Sequence, residues 1–469
     1  MTLKLRDSQQ VALAKLCEPG RTFAALWAEP RSGKTAVTLS WLDHIKPKIA
    51  VVVGPKVAEG VWKSEAAKWL KSSYRFFALT AGNQYPDMSQ LVHSGITLLF
   101  VNYDQFGKAP YKRLKPFLDK ASKLVKGAGA MLLDESHIIK TPNSVFGRHI
   151  RPHASKWKYR MIITGTPVTN PNQIDAVYGQ WTFLDPSIRD HWPTARDFRE
   201  HFGEWTTVKG FPELIRPIRQ YELNAYIQGN VVTMTGAADP VPIRKAVYTP
   251  PETVLKAQKL MLKHGVVTYH RGEFYKFDGK QTGREIIGLN PLTRLLRMRT
   301  IVGGWAKDDA DRSFTVTSAA DARLKALGKV LRRTNGKVII AATHLLEIKQ
   351  VRGYLKERGM RCLVITGKTE NKNLVIEKFQ RGDYKVLLVQ PRTVAMAVDI
   401  SVANDLIWYT SDFNYVTFKQ ASDRIKLSPH GPTVWFLCGR GTVDEDVWVT
   451  LQKDHAHLRK VVKRIKSSG

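Results

Sequence analysis

Residues 23–45 read FAALWAEPRSGKTAVTLSWLDHI, and three kinds of segment meet there. FAALWA (23–28) is a short, unbroken apolar run, the pattern of a strand buried on both faces. AVTLSWLDHI (36–45) is helix-like. Between them, EPRSGKT ends as a phosphate-binding loop ends, with Gly33, Lys34 and Thr35, although Ala28 holds the first glycine position of G-x-x-x-x-G-K-[S/T]. Strand, loop and helix in that order are what such a loop requires. Amides of the loop and the helix N-terminus hold phosphate oxygens, Lys34 reaches the β and γ oxygens, and Thr35 binds Mg²⁺.

The same strand type recurs on both sides of this unit. KIAVVVG (48–54), ITLLFVNY (96–103), AMLLDE (130–135) and YRMIITGT (159–166) lie in the first third. KVIIAAT (337–343), CLVIT (362–366), KVLLVQ (385–390), DLIWYT (405–410) and TVWFLCG (433–439) lie in the last. Buried strands alternating with helices predict an α/β fold with two doubly wound parallel-sheet lobes. The middle, rich in aromatics, proline and charge, predicts mainly helix with some hairpin, and its tryptophans are expected in the core. Expected boundaries are 1–180 for lobe 1, 181–305 for a mainly helical insertion, 306–322 for a polar interlobe linker and 323–469 for lobe 2.

A length of 469 residues suits two or three domains. Lys and Arg number 73 against 41 Asp and Glu, a formal +32, with a pI near 10.0. Such a balance points to a polyanionic partner, nucleic acid first and a membrane surface second. Cys17, Cys362 and Cys438 are scattered, which argues against a disulfide framework and for a reducing compartment. No signal-peptide core or apolar span of membrane length is present. An intracellular protein with no membrane partner is expected.

MLLDESH (131–137) supplies the second half of the phosphate site. An apolar strand delivers Asp134 and Glu135 to its end, about a hundred residues after the GKT loop. Asp134 suits the shell of a metal ion, and Glu135 suits the activation of a water. ATP and Mg²⁺ are the ligands this pair of motifs implies.

With these motifs in hand, the chain resembles the Swi/Snf-like ATPases of helicase superfamily two. LRDSQ (5–9) is similar to the family's LRPYQ, which implies nucleotide contacts for Arg6 and adenine reading for Gln9. GPKVAEGVWKSEAAKW (54–69) and VNYDQF (101–106) resemble nucleic-acid-contacting segments, implicating Lys56, Trp62, Asn102 and Tyr103. DESH resembles the DEAH box, and ITGTPVTN (163–170) the family's LTGTP-x-x-N. In the second lobe KVIIAATHLLEIKQVRGYLKERG, VITGKT, FNYVTFKQASDRI (413–425) and GRGTVDEDVW (439–448) continue the match. They implicate Thr343, Thr366, Gly367, Arg392 and Thr393 in nucleic-acid contact, Asp399 in the nucleotide site and Arg424 in catalysis. The resemblance implies two RecA-like lobes, ATP hydrolysis in the cleft between them, and translocation on double-stranded DNA. Alternatives are a strand-separating helicase on RNA or branched DNA, and a DNA-binding interaction protein that does not hydrolyse ATP. The compact length is similar to stand-alone bacterial and bacteriophage members, which places the chain in the cytoplasm of a bacterial or phage-infected cell, at the nucleoid or with a recruiting protein.

The chain departs from the family pattern at three places. Arg31 replaces a loop glycine, which requires φ to stay negative. Leu427 stands where the family has its second arginine, leaving Arg424, Lys426 or Arg31 to supply that charge. Ala395 and Ala397 replace glycines of the segment before Asp399. Elsewhere, Arg148, Arg151, Lys156, Lys158 and Arg160 form a basic cluster suited either to a phosphate backbone or to a solvated face. Arg294 and Arg297 lie near one face of LTRLLRMRT (292–300), where DNA contact is expected. The tail HLRKVVKRIKSSG (457–469) reads as the end of a basic amphipathic helix, suited to a charged surface or, as the alternative, to DNA contact. His149 and His153 are spaced i, i+4 without a third ligand, so no metal site is expected there.

Overall fold

The computed structural model describes residues 4–29, 31–80, 82–165, 174–208, 211–236, 241–277, 283–394, 400–426, 428 and 431–452. They fall into two compact units, the first reaching residue 237 and the second beginning at 238.

The first unit is built on seven parallel strands: β1 (Phe23–Ala28), β2 (Ile49–Gly54), β3 (Tyr74–Leu79), β4 (Ile96–Asn102), β5 (Ala130–Asp134), β6 (Tyr159–Thr164) and β7 (Val231–Met234). Their order is β3-β4-β2-β5-β6-β1-β7. The central strands are buried on both faces, with every residue of β2 and β5 out of solvent, as their unbroken apolar runs predict. The helices α1 (Asp7–Leu16), α2 (Lys34–Ile45) and α3 (Glu59–Trp69) cover this sheet together with Lys108–Leu124. The last is strongly amphipathic, burying Leu114, Phe117, Leu118 and Ala121 and leaving its lysines outward.

The second unit carries β8 (Ile243–Tyr248), β9 (Lys337–Ala341), β10 (Cys362–Ile365), β11 (Val386–Val389), β12 (Ala403–Trp408) and β13 (Thr433–Gly439). They are parallel and ordered β8-β13-β12-β9-β11-β10. Two parallel α/β sheets are thus present, as the strand pattern requires. Helices Glu252–His264 and Pro291–Val302 pack on a three-stranded antiparallel sheet between β8 and β9 in sequence, sharing a core with Val443. The polar stretch 306–322 contains one strand pairing, Trp305–Lys307 with Ser313–Thr315, and the first turns of helix Thr317–Leu331.

Three sheet strands escaped the sequence pattern, and each lies at a sheet edge. YRFFAL, VVTM and IRKAVY pair on one side only, and two of them carry exposed arginine or lysine side chains. An edge strand with a solvated face needs no continuous apolar run, so its signal is weak.

The basic cluster 148–160 also changes meaning. Arg151 is buried and donates to the carbonyls of Gly179, Ile139, Thr141 and Pro142. Arg160 donates to Leu184, Trp157 and Ala154 carbonyls, and Lys156 pairs with Asp119 at 2.5 Å. These three side chains hold the fold, so a phosphate-following role is left only to the exposed Arg148 and Lys158. His149 stacks on Tyr111 and meets the Phe106 carbonyl at 2.6 Å.

His153 is fully buried, 2.9 Å from the Tyr111 hydroxyl and 3.6 Å from Asp119. Burial and the nearby Lys156 push its pKa down from 6.5 to about 4, with Asp119 opposing. The folded ring therefore stays neutral where the unfolded chain takes up a proton, and stability falls as pH drops from about 6.5 towards 4. Between pH 7 and pH 5 the loss is about 2 kcal/mol. Urea denaturation at the two pH values measures it, and His153→Gln should remove most of the difference; an unchanged difference would refute the assignment.

Candidate functional site

The phosphate loop sits where β1 ends and α2 begins, beside the ends of β5 and β6. Gly33 has φ +82°, which favours glycine, and a β-carbon there would displace the Gln9 amide. Arg6 and Gln9 both donate to the Ser32 carbonyl, at 2.6 and 3.0 Å, bracing the loop from α1. The expected nucleotide residues Arg6, Gln9, Arg31, Gly33, Lys34 and Thr35 are therefore brought together.

Arg31 corrects one expectation. Its φ is +63°, not negative. The Ser32 N–H donates to the Glu29 carbonyl at 3.1 Å, closing a four-residue turn whose third position calls for positive φ. Holding an arginine there costs roughly 1–2 kcal/mol. The loop thus keeps a glycine-like backbone without the glycine.

Opposite the loop, Lys34 Nζ lies 2.6 Å from Glu135 Oε1 and 3.5 Å from Asp134 Oδ1. Glu135 itself has φ +55°, an unusual conformation for a side chain this size and one that turns it from β5 towards the loop. Burial by itself would raise the Glu135 carboxyl, but the Lys34 ammonium and the His137 ring outweigh it and hold it well below the usual range. His137 Nδ1 is 3.3 Å from Glu135 Oε2 and 3.3 Å from Thr164 Oγ1, so DESH and ITGT meet at this ring. Two carboxylates converging on one cation, with the Thr35 hydroxyl in the same loop, form an oxygen donor set that fits Mg²⁺ and phosphate.

A model of the SNF2-related domain matches residues 25–233, and one of the helicase conserved C-terminal domain matches residues 322–426. The chain belongs to the Swi/Snf-like ATPases of superfamily two.

This Swi/Snf-like chain is 22% identical to the ISWI chromatin-remodeling complex ATPase ISW1 of Saccharomyces cerevisiae, over 84% of its own length and 34% of the relative's. It is 24% identical to a probable chromatin-remodeling complex ATPase chain of Oryza sativa, over 95% and 40%. It therefore spans well under half of those relatives. The putative protein p41 of Acyrthosiphon pisum secondary endosymbiont phage 1 is 23% identical over 68% of both chains. The solved Sulfolobus solfataricus SWI2/SNF2 ATPase core in complex with dsDNA aligns with 100% of this chain and 94% of its own at 18% identity, with a TM-score of 0.41.

The residues assigned to nucleic acid separate into four groups. Lys56 is exposed, on the turn Lys56–Ala58. Trp62, Asn102 and Tyr103 are buried, which corrects their expected role: side chains so placed present no surface to a phosphate. The Trp62 indole N–H donates to Asp134 Oδ2 at 3.0 Å and the Tyr103 hydroxyl to the Asp134 carbonyl at 2.9 Å, while Asn102 turns to Asp104.

In the second unit the expected loops do converge, and Gln390 joins them. Its amide accepts from Gly367 N at 2.9 Å and donates to the Thr343 carbonyl at 3.3 Å, while its carbonyl accepts from Thr393 Oγ1 at 2.6 Å. Thr366 Oγ1 accepts from Lys368 N within the same loop. Arg392 is on the short helix Pro391–Val394. Arg294 and Arg297, both half-buried, donate to the carbonyls of Gly288, Leu262 and Ile287, so these guanidinium groups tie the insertion together. Arg424 is half-buried in the turn Asp423–Ile425, beside the Asp423–Lys419 ion pair. Asp399, Leu427, the substituted alanines 395 and 397, residues 166–170 of ITGTPVTN and the tail lie outside the described residues.

Sequence reasoning missed His137, Gln390 and the inward role of Trp62. His137 was printed in DESH, two residues after Glu135. Gln390 and Trp62 carry no local signal, since their roles exist only across strands.

Proposed function

We propose that the chain is an ATP-dependent translocase acting on double-stranded DNA. The observation carrying this reading is the placement of Lys34 between Glu135 and Asp134 at the mouth of the phosphate loop. Amides at Gly33 to Thr35 and the Lys34 ammonium hold the ATP phosphates, and Gln9 and Arg6 lie on the adenine side. Thr35 and Asp134 would hold Mg²⁺, whose charge would offset that of the transferring phosphoryl group. Glu135, at the end of β5 beside the loop, accepts the proton of the attacking water. Arg424, on the turn Asp423–Ile425, takes the catalytic-cation role carried over from the family motif.

Membership of the Swi/Snf-like family, the +32 charge and the loops gathered on Gln390 support nucleic acid as the track. Contacts to phosphates rather than base edges imply little sequence preference. Steady-state ATP hydrolysis without nucleic acid and with duplex DNA, single-stranded DNA or RNA tests this. Stimulation by duplex is expected; no turnover under any condition would sink the reading. Strand displacement on forked duplexes tests the helicase alternative.

Arg31 is proposed to supply positive charge beside the γ-phosphate that Leu427 no longer provides. Arg31→Gly is then expected to slow turnover about tenfold, the lower range for one charge-stabilising donor. Turnover that is unchanged or faster rules this out.

A further inference from the structure

Asp134 is held from two elements at two different atoms. Trp62, on α3, binds its carboxylate, and Tyr103, just past β4, binds its carbonyl. The other carboxylate oxygen accepts from Glu135 N at 3.0 Å and faces Lys34. With Oδ2 occupied by a donor that cannot titrate, Oδ1 is the oxygen left facing the phosphate loop.

Burial alone does not compel this bond. Trp62 is 1% exposed, and a buried indole N–H gains from an acceptor. Yet Trp27, Trp157 and Trp181, also buried in the same unit, leave their N–H groups without partners among the described residues. At Trp62 the acceptor is the proposed metal-holding carboxylate.

The other end of the same segment is exposed. Lys56 begins the turn that runs through Ala58 directly into α3, and Trp62 lies in the first turn of that helix. Asp104, next to Tyr103, is exposed as well. Each element therefore has one end in solvent and one on Asp134. We propose that Trp62 is a positioning residue for ATP hydrolysis, setting Asp134 through its indole N–H and linking nucleic-acid contact at the Lys56 turn to the nucleotide site. This rests on the ATPase reading above and adds to it how the track and the site are coupled.

Trp62→Phe keeps the ring and removes the donor. ADP affinity measured by calorimetry with Mg²⁺ or with EDTA reads the effect without turnover. Loss of a partner to a metal-holding group predicts an about tenfold smaller Mg²⁺-dependent gain in ADP affinity and an about tenfold higher Mg²⁺ requirement for turnover. Duplex affinity, read by fluorescence anisotropy, should stay unchanged. Trp181→Phe, which deletes an N–H with no partner among the described residues, should leave the Mg²⁺ dependence as in the wild type. Tyr103→Phe removes one oxygen and should shift the Mg²⁺ dependence in the same direction as Trp62→Phe.

Wild-type Mg²⁺ dependence in Trp62→Phe or in Tyr103→Phe overturns the inference. So does an equal loss in Trp181→Phe, which means general slackening of the lobe, or a fall in duplex affinity alone, which makes Trp62 a direct contact. If the wild type shows no Mg²⁺-dependent ADP binding, the ATPase reading falls and this inference with it.

Discussion

Glu135→Gln lowers duplex-stimulated ATP turnover about a thousandfold while leaving ADP binding within a few-fold, the size expected for losing a general base. The amide keeps the shape of the side chain, and its oxygen can still accept from Lys34 while its NH2 faces the His137 ring. It cannot take the proton of the attacking water. It also removes the charge that Lys34 pairs with at 2.6 Å, freeing that ammonium for phosphate and tending to tighten nucleotide binding. Turnover from single-turnover kinetics and affinity from calorimetry separate the two effects. A variant that still turns over at a tenth of the wild-type rate would move the base to another residue.

Arg323→Met is expected to destabilise the second unit by about 3–5 kcal/mol, the cost of leaving the partner of a buried ion pair alone. Arg323 is fully buried and meets Asp444 at 2.7 Å. It also donates to the Tyr409 and Leu437 carbonyls and to the Tyr248 hydroxyl. Asp444 belongs to GRGTVDEDVW and accepts in addition from Gly439 N at 3.0 Å. That family motif is therefore a structural clasp joining helix Thr317–Leu331 to the ends of β8, β12 and β13. Urea unfolding of Arg323→Met, Asp444→Asn and the double variant measures the coupling. The double variant should be less destabilised than the sum of the two singles; simple additivity would contradict a shared clasp.

Most of the strand framework was legible because buried parallel strands must be apolar without interruption. KIAVVVG and AMLLDE could hardly be anything else. The chemistry was legible where a motif is local: Gly33, Lys34 and Thr35 share one loop, and Asp134 and Glu135 share one strand end. The hydrogen-bond partners of Trp62 and Arg294 were illegible for a common reason. Tryptophan and arginine suit both a ligand surface and a buried hydrogen bond, and only their neighbours decide between the two.

By itself the sequence determined that this is a two-lobed α/β protein with a phosphate loop, an acidic strand end and the ordered motifs of a Swi/Snf-like ATPase. The first three follow from local periodicity and spacing, which a linear chain displays directly, and the last from resemblance to that family's motifs. The tertiary structure alone decided that Arg31 sits in a left-handed turn and that Trp62 and Tyr103 face Asp134. It also decided that Gln390 gathers three loops and that Arg323 closes on Asp444. Apart from the local turn at Arg31, each of these depends on which strand ends lie side by side, and hydrogen bonds between groups 23 to 121 residues apart leave no trace in local pattern.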